Sequence, residues 1–248
     1  MRANVIVFDA LMMILFVPFY VGADRALGRR KNQAFLLGSV LFSLAIYTTS
    51  VLTGMMNFFW YAQNSYFKHY PLGGYIIWLG LVPLAAVLLF YMVSATSYVV
   101  STTLMKRRKL WARSLFAGGI AVLFYLMVDP VAVTNHWWTW NLKSFYVIDV
   151  PLLAWIGVFL AVFAYTFLYD LTIVQKAEPK PLKFIEEHIV RRRLFRNKNA
   201  LVVLNWNQVL GIYCFRLACT FVAYCAVMAP FVALLWWAAN RGQIPAKW

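Results

Sequence analysis

The sequence contains few of the residues from which most catalytic and metal-binding sites are built. Of 248 residues, 8 are acidic, 3 are histidine and 3 are cysteine. Three histidines are too few for a membrane diiron oxygenase. The cysteines, Cys214, Cys219 and Cys225, match neither a zinc site nor a disulfide framework. No glycine-rich phosphate loop and no nucleophile with a matching base is recognisable. The sequence therefore predicts no metal and no cofactor, although aromatic residues alone could form a quinone or pigment site.

Apolar residues dominate the chain. They make up 63% of it, the mean hydropathy is +0.70, and only 12% of the residues are charged. Several apolar runs reach the length of about 20 residues that a helix needs to cross a bilayer. The pattern predicts an all-α polytopic membrane bundle, a single integral domain over residues 1–248, in contact with the lipid bilayer. Its six spans lie near residues 5–22, 35–55, 75–100, 114–130, 150–170 and 211–238.

The basic residues predict how the chain lies in the membrane. They cluster in three loops, at 25–31, 106–113 and 176–198, which all fall on one side of the six predicted spans. Because short loops rich in Lys and Arg stay in the cytoplasm, we expect both termini on the non-cytoplasmic side of a bacterial or archaeal cytoplasmic membrane. The net charge of +15 is then an orientation signal that also favours anionic lipids. It does not indicate nucleic-acid binding.

Residues 176–199 form the longest polar segment. Phe184, Ile185, Ile189 and Leu194 fall on one side of a helix here, with arginines on the other, which is typical of an interfacial amphipathic helix. A solvated linker and a docking surface for another membrane subunit are the alternatives. No internal repeat is evident in the chain.

Four aspartates lie within or beside apolar runs and are candidates for function, because a buried carboxylate is costly unless it is paired or protonated. Asp129, followed by Pro130, ends the fourth predicted span. Burial would favour its neutral form, which can donate a proton; the alternative is a helix stop with Asp129 as a cap. Asp149 is either an N-cap of the fifth span or a second acid. Asp9 could face a bundle partner, and Asp170 is expected in cytoplasmic water.

Three tryptophans, Trp137, Trp138 and Trp140, stand beside these acids. They could belong to the aromatic belt of a membrane protein. Aromatic faces also stabilise a cation, by about 2 kcal/mol or more when desolvated. An acid beside aromatic faces, without a metal, would suit protonation of an alkene to a tertiary carbocation followed by capture of water.

These residues also carry a family resemblance. The stretch "DPVAVTNHWWTW" and the following "FYVIDVPLLAWIG" resemble the signature of the carotenoid biosynthesis membrane proteins, which include bacterial and archaeal carotenoid hydratases. The upstream stretches "GRRKNQAFLLGSVLFSLAIYTTSVLTG" and "YFKHYPLGGYIIWLGLVPLAAVLLFYMV" are similar to that family's second and third span regions. The resemblance covers residues 28–170. It implies a cofactor-free addition of water to the terminal double bond of an acyclic carotenoid. The matching positions are Asp129, Pro130, Trp138, Trp140, Tyr146 and Pro151.

The chain also departs from the family pattern. Ala154, Trp155 and Val158 replace the family's Asn, Phe and Trp, and "IYTTS" at 46–50 lacks an acid that is usual in the second span. The leading hypothesis is a hydratase with Asp129 as proton donor and Asp149 as second acid or water-orienting base. Its binding wall comprises Trp137, Trp138, Trp140, Tyr146 and Trp155.

Two other hypotheses remain. The departures and the basic segment favour a non-catalytic subunit that holds carotenoid, quinone or lipid in a larger photosynthetic or respiratory complex. A transporter would need discontinuous helices and midplane polar residues in paired halves, and the sequence indicates neither.

Overall fold

Six long helices make up most of the protein. The computed structural model describes residues 3–58, 75–141, 145–174 and 206–241. All six helices within these ranges are long and apolar enough to cross a membrane, which confirms the predicted multi-pass helical architecture. They are α1 (Ala3–Leu27), α2 (Arg29–Leu52), α3 (Leu84–Leu104), α4 (Leu110–Thr134), α5 (Leu152–Tyr169) and α6 (Trp206–Asn240). A π-helical turn, Asp170–Val174, extends α5.

The helix bounds differ from the sequence expectation at two places. The third helix begins at Leu84 rather than near residue 75, because a short hairpin precedes it. The fourth helix continues through Pro130 to Thr134, so the interpretation of Asp129 as a cap at a helix stop is wrong. Proline removes one backbone donor from a helix, and the tertiary packing of α4 outweighs that loss. The predicted amphipathic helix at 176–199, His69 and His188 lie outside the described residues.

Short antiparallel β-pairs gather at one end of the bundle, which we call the hairpin end. They comprise β1 (Met56–Asn57), β2 (Trp78–Leu79), β3 (Val82–Pro83), β4 (Thr139–Trp140), β5 (Tyr146–Val147) and β6 (Val150–Pro151). β2 pairs with β3, β5 with β6, and β1 with β4. The opposite end, which we call the basic end, contains Arg29, Arg30, Lys31 and residues 106–113.

The two hairpins are built in the same way. Each has a two-residue turn, ends in Val-Pro and leads directly into a long helix. The first helical amide bonds back in both, from Leu84 N to Ile77 O at 2.9 Å and from Leu152 N to Phe145 O at 2.8 Å. The unit α2–β1–β2–β3–α3 therefore corresponds to α4–β4–β5–β6–α5. This duplication corrects the expectation that the chain has no internal repeat.

Pairing between β1 and β4 joins the two halves. Met56 lies opposite Trp140, and Asn57 lies opposite Thr139. This strand pair links the segment that follows α2 to the segment that follows α4.

A buried ion pair closes the basic end. Arg113 Nη2 contacts Asp170 Oδ2 at 2.6 Å, and Tyr98 Oη donates to Asp170 Oδ1 at 3.1 Å. Asp170 is buried, so the expectation that it sits in cytoplasmic water is wrong. An uncompensated carboxylate at this depth would be strongly destabilising, and the arginine on α4 supplies the compensating charge. The pair joins the start of α4 to the end of α5.

Close packing of α4 on α5 depends on one glycine. A Cβ atom at Gly118 would lie 2.9 Å from the backbone oxygen of Phe159, whereas a Cβ atom at its neighbour Gly119 would meet nothing within 4 Å. Backbone atoms cannot turn aside as a flexible side chain can. Small residues at such positions let membrane helices approach closely.

We expect Gly118→Ala to destabilise the protein by about 1–3 kcal/mol through overpacking. Gly119→Ala is the matched control and should leave stability unchanged or raise it slightly, because alanine is the better helix former. Thermal unfolding in detergent would measure both variants. Equal stabilities of the two variants would contradict the predicted close contact.

Candidate functional site

Asp129 is a fully buried acidic residue near the hairpin end. It lies on α4 with 0% of its surface exposed, and neither of its carboxyl oxygens has a hydrogen-bond partner among the described residues. The single ion pair found in the described part of the chain is at the other end of the bundle. Buried polar groups without partners are rare in proteins and often mark functional positions. Asp129 is therefore the starting point for the site.

Two tryptophans flank this carboxyl group. Trp138 follows the end of α4, Trp155 lies in the first turn of α5, and both indoles are close enough to interact with Asp129. Neither indole N–H makes a hydrogen bond of normal geometry with a described residue. The sequence prediction that Asp129 and these two tryptophans belong to one site is consistent with this geometry.

A pair of tyrosines lies beside the same acid. The hydroxyl groups of Tyr47 on α2 and Tyr125 on α4 are 3.0 Å apart. Both phenols lie within the electrostatic reach of Asp129. Sequence reasoning missed them, because their spacing along the chain gives no sign that the two side chains meet. The available signal was that each of these two apolar runs contains a tyrosine, whose hydroxyl group needs a partner inside a membrane protein.

A mostly apolar cleft lies next to this cluster, between α2, α5 and α6. It encloses about 580 Å³ of empty space, counting its open side. Its wall includes Tyr47, Phe90, Trp140, Gly157, Tyr224 and Met228. Ligand pockets in proteins are lined mainly by apolar and aromatic side chains. The lining of this open cleft is therefore suited to contact with an apolar molecule.

The remaining predicted site residues lie in different places. Trp140 is in the wall of the cleft, and Trp137 stacks on Phe8 with ring centroids 4.1 Å apart. Tyr146 is about half exposed on β5, where burial of its other half raises the pKa of its hydroxyl. The Tyr146 hydroxyl donates to the backbone oxygen of Trp140 at 3.4 Å, which links these two residues.

Asp149 does not join Asp129. It occupies the exposed turn between β5 and β6, where both Ile148 and Asp149 have positive φ, at 51° and 60°. Two-residue hairpin turns require this backbone and favour Asp and Asn in it. The residue that precedes α5 is Pro151, so the alternative interpretation of Asp149 as the helix N-cap is wrong.

Asp9 ties the first hairpin to α1. It is fully buried, and its Oδ2 accepts a hydrogen bond from the Ile76 amide at 2.5 Å. Tyr75 donates to the backbone oxygen of Trp137. Burial raises the pKa of the Tyr75 hydroxyl, with a further increase from the nearby Asp9 carboxyl group, so this phenol stays protonated as a donor. Asp9 thus faces a neighbouring element, as the sequence suggested, and it helps to position the tryptophan segment.

The sequence matches one known protein family over most of its length. The family model described as carotenoid biosynthesis protein matches residues 2–232. The chain belongs to the carotenoid biosynthesis protein family. No curated protein matches the chain, and no solved structure matches it either. This carotenoid biosynthesis protein is accordingly a multi-pass membrane protein with a role connected to carotenoids.

The described residues of this carotenoid biosynthesis protein do not form a metal site. Within residues 3–58, 75–141, 145–174 and 206–241, no group of three or more His, Cys, Asp or Glu side chains is arranged to hold a metal ion. The chemical groups that do converge are one carboxyl group, two indoles and two phenols. Such a set can transfer protons and contact an apolar ligand.

We expect Asp9→Ala in this carotenoid biosynthesis protein to speed hydrogen exchange at the Ile76 amide by about 10–100-fold. Hydrogen bonds to charged or strongly polar acceptors contribute about 1.5–3 kcal/mol. Asn4→Ala is the matched control, because Asn4 bonds from the same helix to Asn135 instead, at 2.9 Å. Exchange at Ile76 that is equally fast in both variants would contradict the assigned role of Asp9.

Proposed function

We propose that this protein hydrates the terminal double bond of an acyclic carotenoid. The Asp129 carboxylic acid gives its proton to the alkene, so an O–H bond breaks and a C–H bond forms, leaving a tertiary carbocation. Water then bonds to the cationic carbon and returns a proton to the Asp129 carboxylate. The sum is the addition of one water, which regenerates the acid and requires no oxidant, reductant or metal.

The observation that carries this proposal is the full burial of Asp129 beside the cleft. A carboxylate in a dry membrane interior is expensive unless a cation accompanies it, and no cation contacts Asp129 among the described residues. The neutral acid is therefore the favoured form in the resting protein. A neutral carboxylic acid is the form that can protonate an alkene.

Aromatic side chains around the acid support the cationic step. Tyr47, Tyr125, Trp138 and Trp155 lie near Asp129. A desolvated aromatic face stabilises a cation by about 2 kcal/mol or more. The carbocation formed next to Asp129 would meet such faces rather than water alone. This environment lowers the barrier to its formation and limits where water can attack.

The cleft supports an isoprenoid substrate. Apart from four hydroxyl groups, on Ser43, Tyr47, Ser50 and Tyr224, its lining side chains are apolar or carry only an indole N–H. Tyr47 belongs both to this lining and to the surroundings of Asp129, so we place the reacting end group beside it. Beyond Met228, most side chains of α6 are exposed. We propose that the polyene enters from the bilayer past this part of α6.

Orientation in the membrane follows from the positions of the charges. We propose that the basic end faces the cytoplasm of a bacterium or archaeon, since Lys and Arg in short loops are retained there. The hairpin end, with Asp129 and the cleft, then lies toward the non-cytoplasmic side. Water for the reaction would come from that side.

We expect Asp129→Asn to abolish or greatly slow hydration, by about 10²–10⁴-fold, because the amide cannot supply the proton. The chain would be expressed in a host that accumulates an acyclic carotenoid. Pigments would then be analysed by chromatography and mass spectrometry for the gain of one water per modified end group. Asp24→Asn is the control. It makes the same chemical change near the C-terminal end of α1, at the basic end of the bundle, and should keep activity. Hydrated pigment at the wild-type level from Asp129→Asn would refute the proton-donor assignment.

Asp149→Asn tests the second predicted acid. Because Asp149 lies in an exposed turn and asparagine tolerates positive φ, we expect this variant to fold normally and to retain most of its hydration activity. The same pigment analysis measures it, alongside the Asp129 variant. A loss as large as that of Asp129→Asn would support the hypothesis of a two-acid mechanism.

A second candidate function is non-catalytic binding of a carotenoid, quinone or lipid as a subunit of a larger complex. The observation in its favour is that the cleft lining contains hydroxyl groups but no carboxyl group. Such a cleft could hold a polyene without altering it. Unchanged pigment that co-purifies with the wild-type chain and fixed partner subunits would support this alternative over hydration.

A further inference from the structure

We infer that Trp138 and Trp155 act on Asp129 through their indole N–H groups, and that the two donors hold the carboxylate left behind when the acid gives up its proton. This inference rests on the proposed hydration. It assigns both residues as positioning residues for the acid, whereas the sequence pattern suggested a purely aromatic wall. The acceptor for both indole N–H groups is thus the Asp129 carboxyl group.

Unpartnered polar atoms on both sides support this assignment. Trp138 is 3% exposed and Trp155 is 7% exposed, and neither indole nitrogen has an acceptor among the described residues. Both oxygens of Asp129 are likewise without donors there. Two donors and one acceptor group that are buried together, and close enough to interact, are complementary. A small rotation of the carboxyl group would complete hydrogen bonds that the dry surroundings strongly favour.

The two indoles approach from different elements. Trp138 follows the last turn of α4, and its ring is held edge-on by Phe8 and Phe58, with centroid distances of 6.1 and 6.5 Å. Trp155 is fixed by the first turn of α5. Neither donor needs to be recruited during the reaction. Donors that are held near developing negative charge stabilise it with little reorganisation.

The two donors would matter most in the step in which Asp129 gives its proton to the alkene. When the Asp129 O–H bond breaks, negative charge appears on the carboxylate in a region of low dielectric. An N–H donor stabilises that charge more strongly than it stabilises the neutral acid, because hydrogen bonds to charged groups are the stronger ones. Loss of one preorganised donor of this kind costs about 10²–10³-fold in catalytic rate in well-studied enzymes. The donors therefore stabilise the charge that forms when Asp129 gives up its proton.

One substitution separates the N–H role from the role of the aromatic face. Replacing Trp155 with 3-benzothienylalanine keeps a bicyclic face of nearly the same size but replaces the N–H by sulfur. We expect hydration to slow by about 10-fold or more with this residue, with little change in protein yield or thermal stability. Trp155→Phe should show at least the same loss. The same exchange at Trp111, at the basic end of α4, is the control and should retain most activity.

An infrared measurement tests the contact independently of activity. The difference spectrum between wild type and Asp129→Asn isolates the C=O stretching band of the Asp129 acid. In the 3-benzothienylalanine variants at 138 and 155 this band should shift to higher wavenumber, because the carboxyl group loses a hydrogen-bond donor. Trp111 lies at the basic end of α4, the helix that contains Asp129. Trp111→Phe should leave the band unchanged.

The outcomes distinguish this inference from the proposed function. A band that keeps its position in both benzothienylalanine variants would overturn the inference, even if Asp129→Asn abolishes hydration. A shifted band together with slowed hydration would establish it. A shifted band in a protein that hydrates no carotenoid would confirm the contact and overturn only the catalytic function on which the inference rests.

Discussion

A neutral carboxyl group enclosed in an apolar helical bundle is the constraint on which the rest of the site depends. Within a membrane, every polar group must find its partners inside the protein, and Asp129 has no cation to accompany it among the described residues. Its neighbours are instead two indoles and two phenols. These groups can donate hydrogen bonds and present aromatic faces, but they introduce no counter-charge. In the proposed hydration, these surroundings favour the neutral acid at rest and stabilise the carboxylate that forms when the proton is donated.

The duplicated hairpins explain how a mostly helical chain positions these groups. In each half, a two-residue turn and a Val-Pro step lead into a helix with the same backbone hydrogen bond. The halves have nevertheless diverged. α3 packs closely against α4, whereas the corresponding face between α2 and α5 contains the cleft, which α6 covers with Tyr224 and Met228. The interface between α3 and α4 is closely packed, whereas the interface between α2 and α5 is open enough to form the cleft. The strand pair β1–β4 connects the two halves.

The sequence was sufficient for the features that depend on local pattern. Six apolar runs predicted six helices, and the structure confirms them. An acid next to Pro130 and several tryptophans predicted the site, and that assignment stays a prediction. Tertiary context decided the rest. Pro130 does not end α4, because packing against α5 outweighs one lost hydrogen bond. Asp149 forms a hairpin turn that the two-residue spacing between β5 and β6 sets, and Asp170 is paired with an arginine 57 positions away. The repeated Val-Pro-Leu before α3 and α5 was a readable sign of the duplication.

The depth of Asp129 connects the structure with the chemistry. It lies five residues before the end of α4 at Thr134, and at 1.5 Å per residue this places it about 7.5 Å from the helix end. A carotenoid is confined to the hydrocarbon, while water is abundant only outside it. An acid at the bilayer centre could reach the polyene but not water, and an acid in the loops would be ionised and would not reach the alkene. For the proposed hydration, a position within two helical turns of the hairpin end would satisfy both requirements, since the hairpins and tryptophans near it would limit how much water enters.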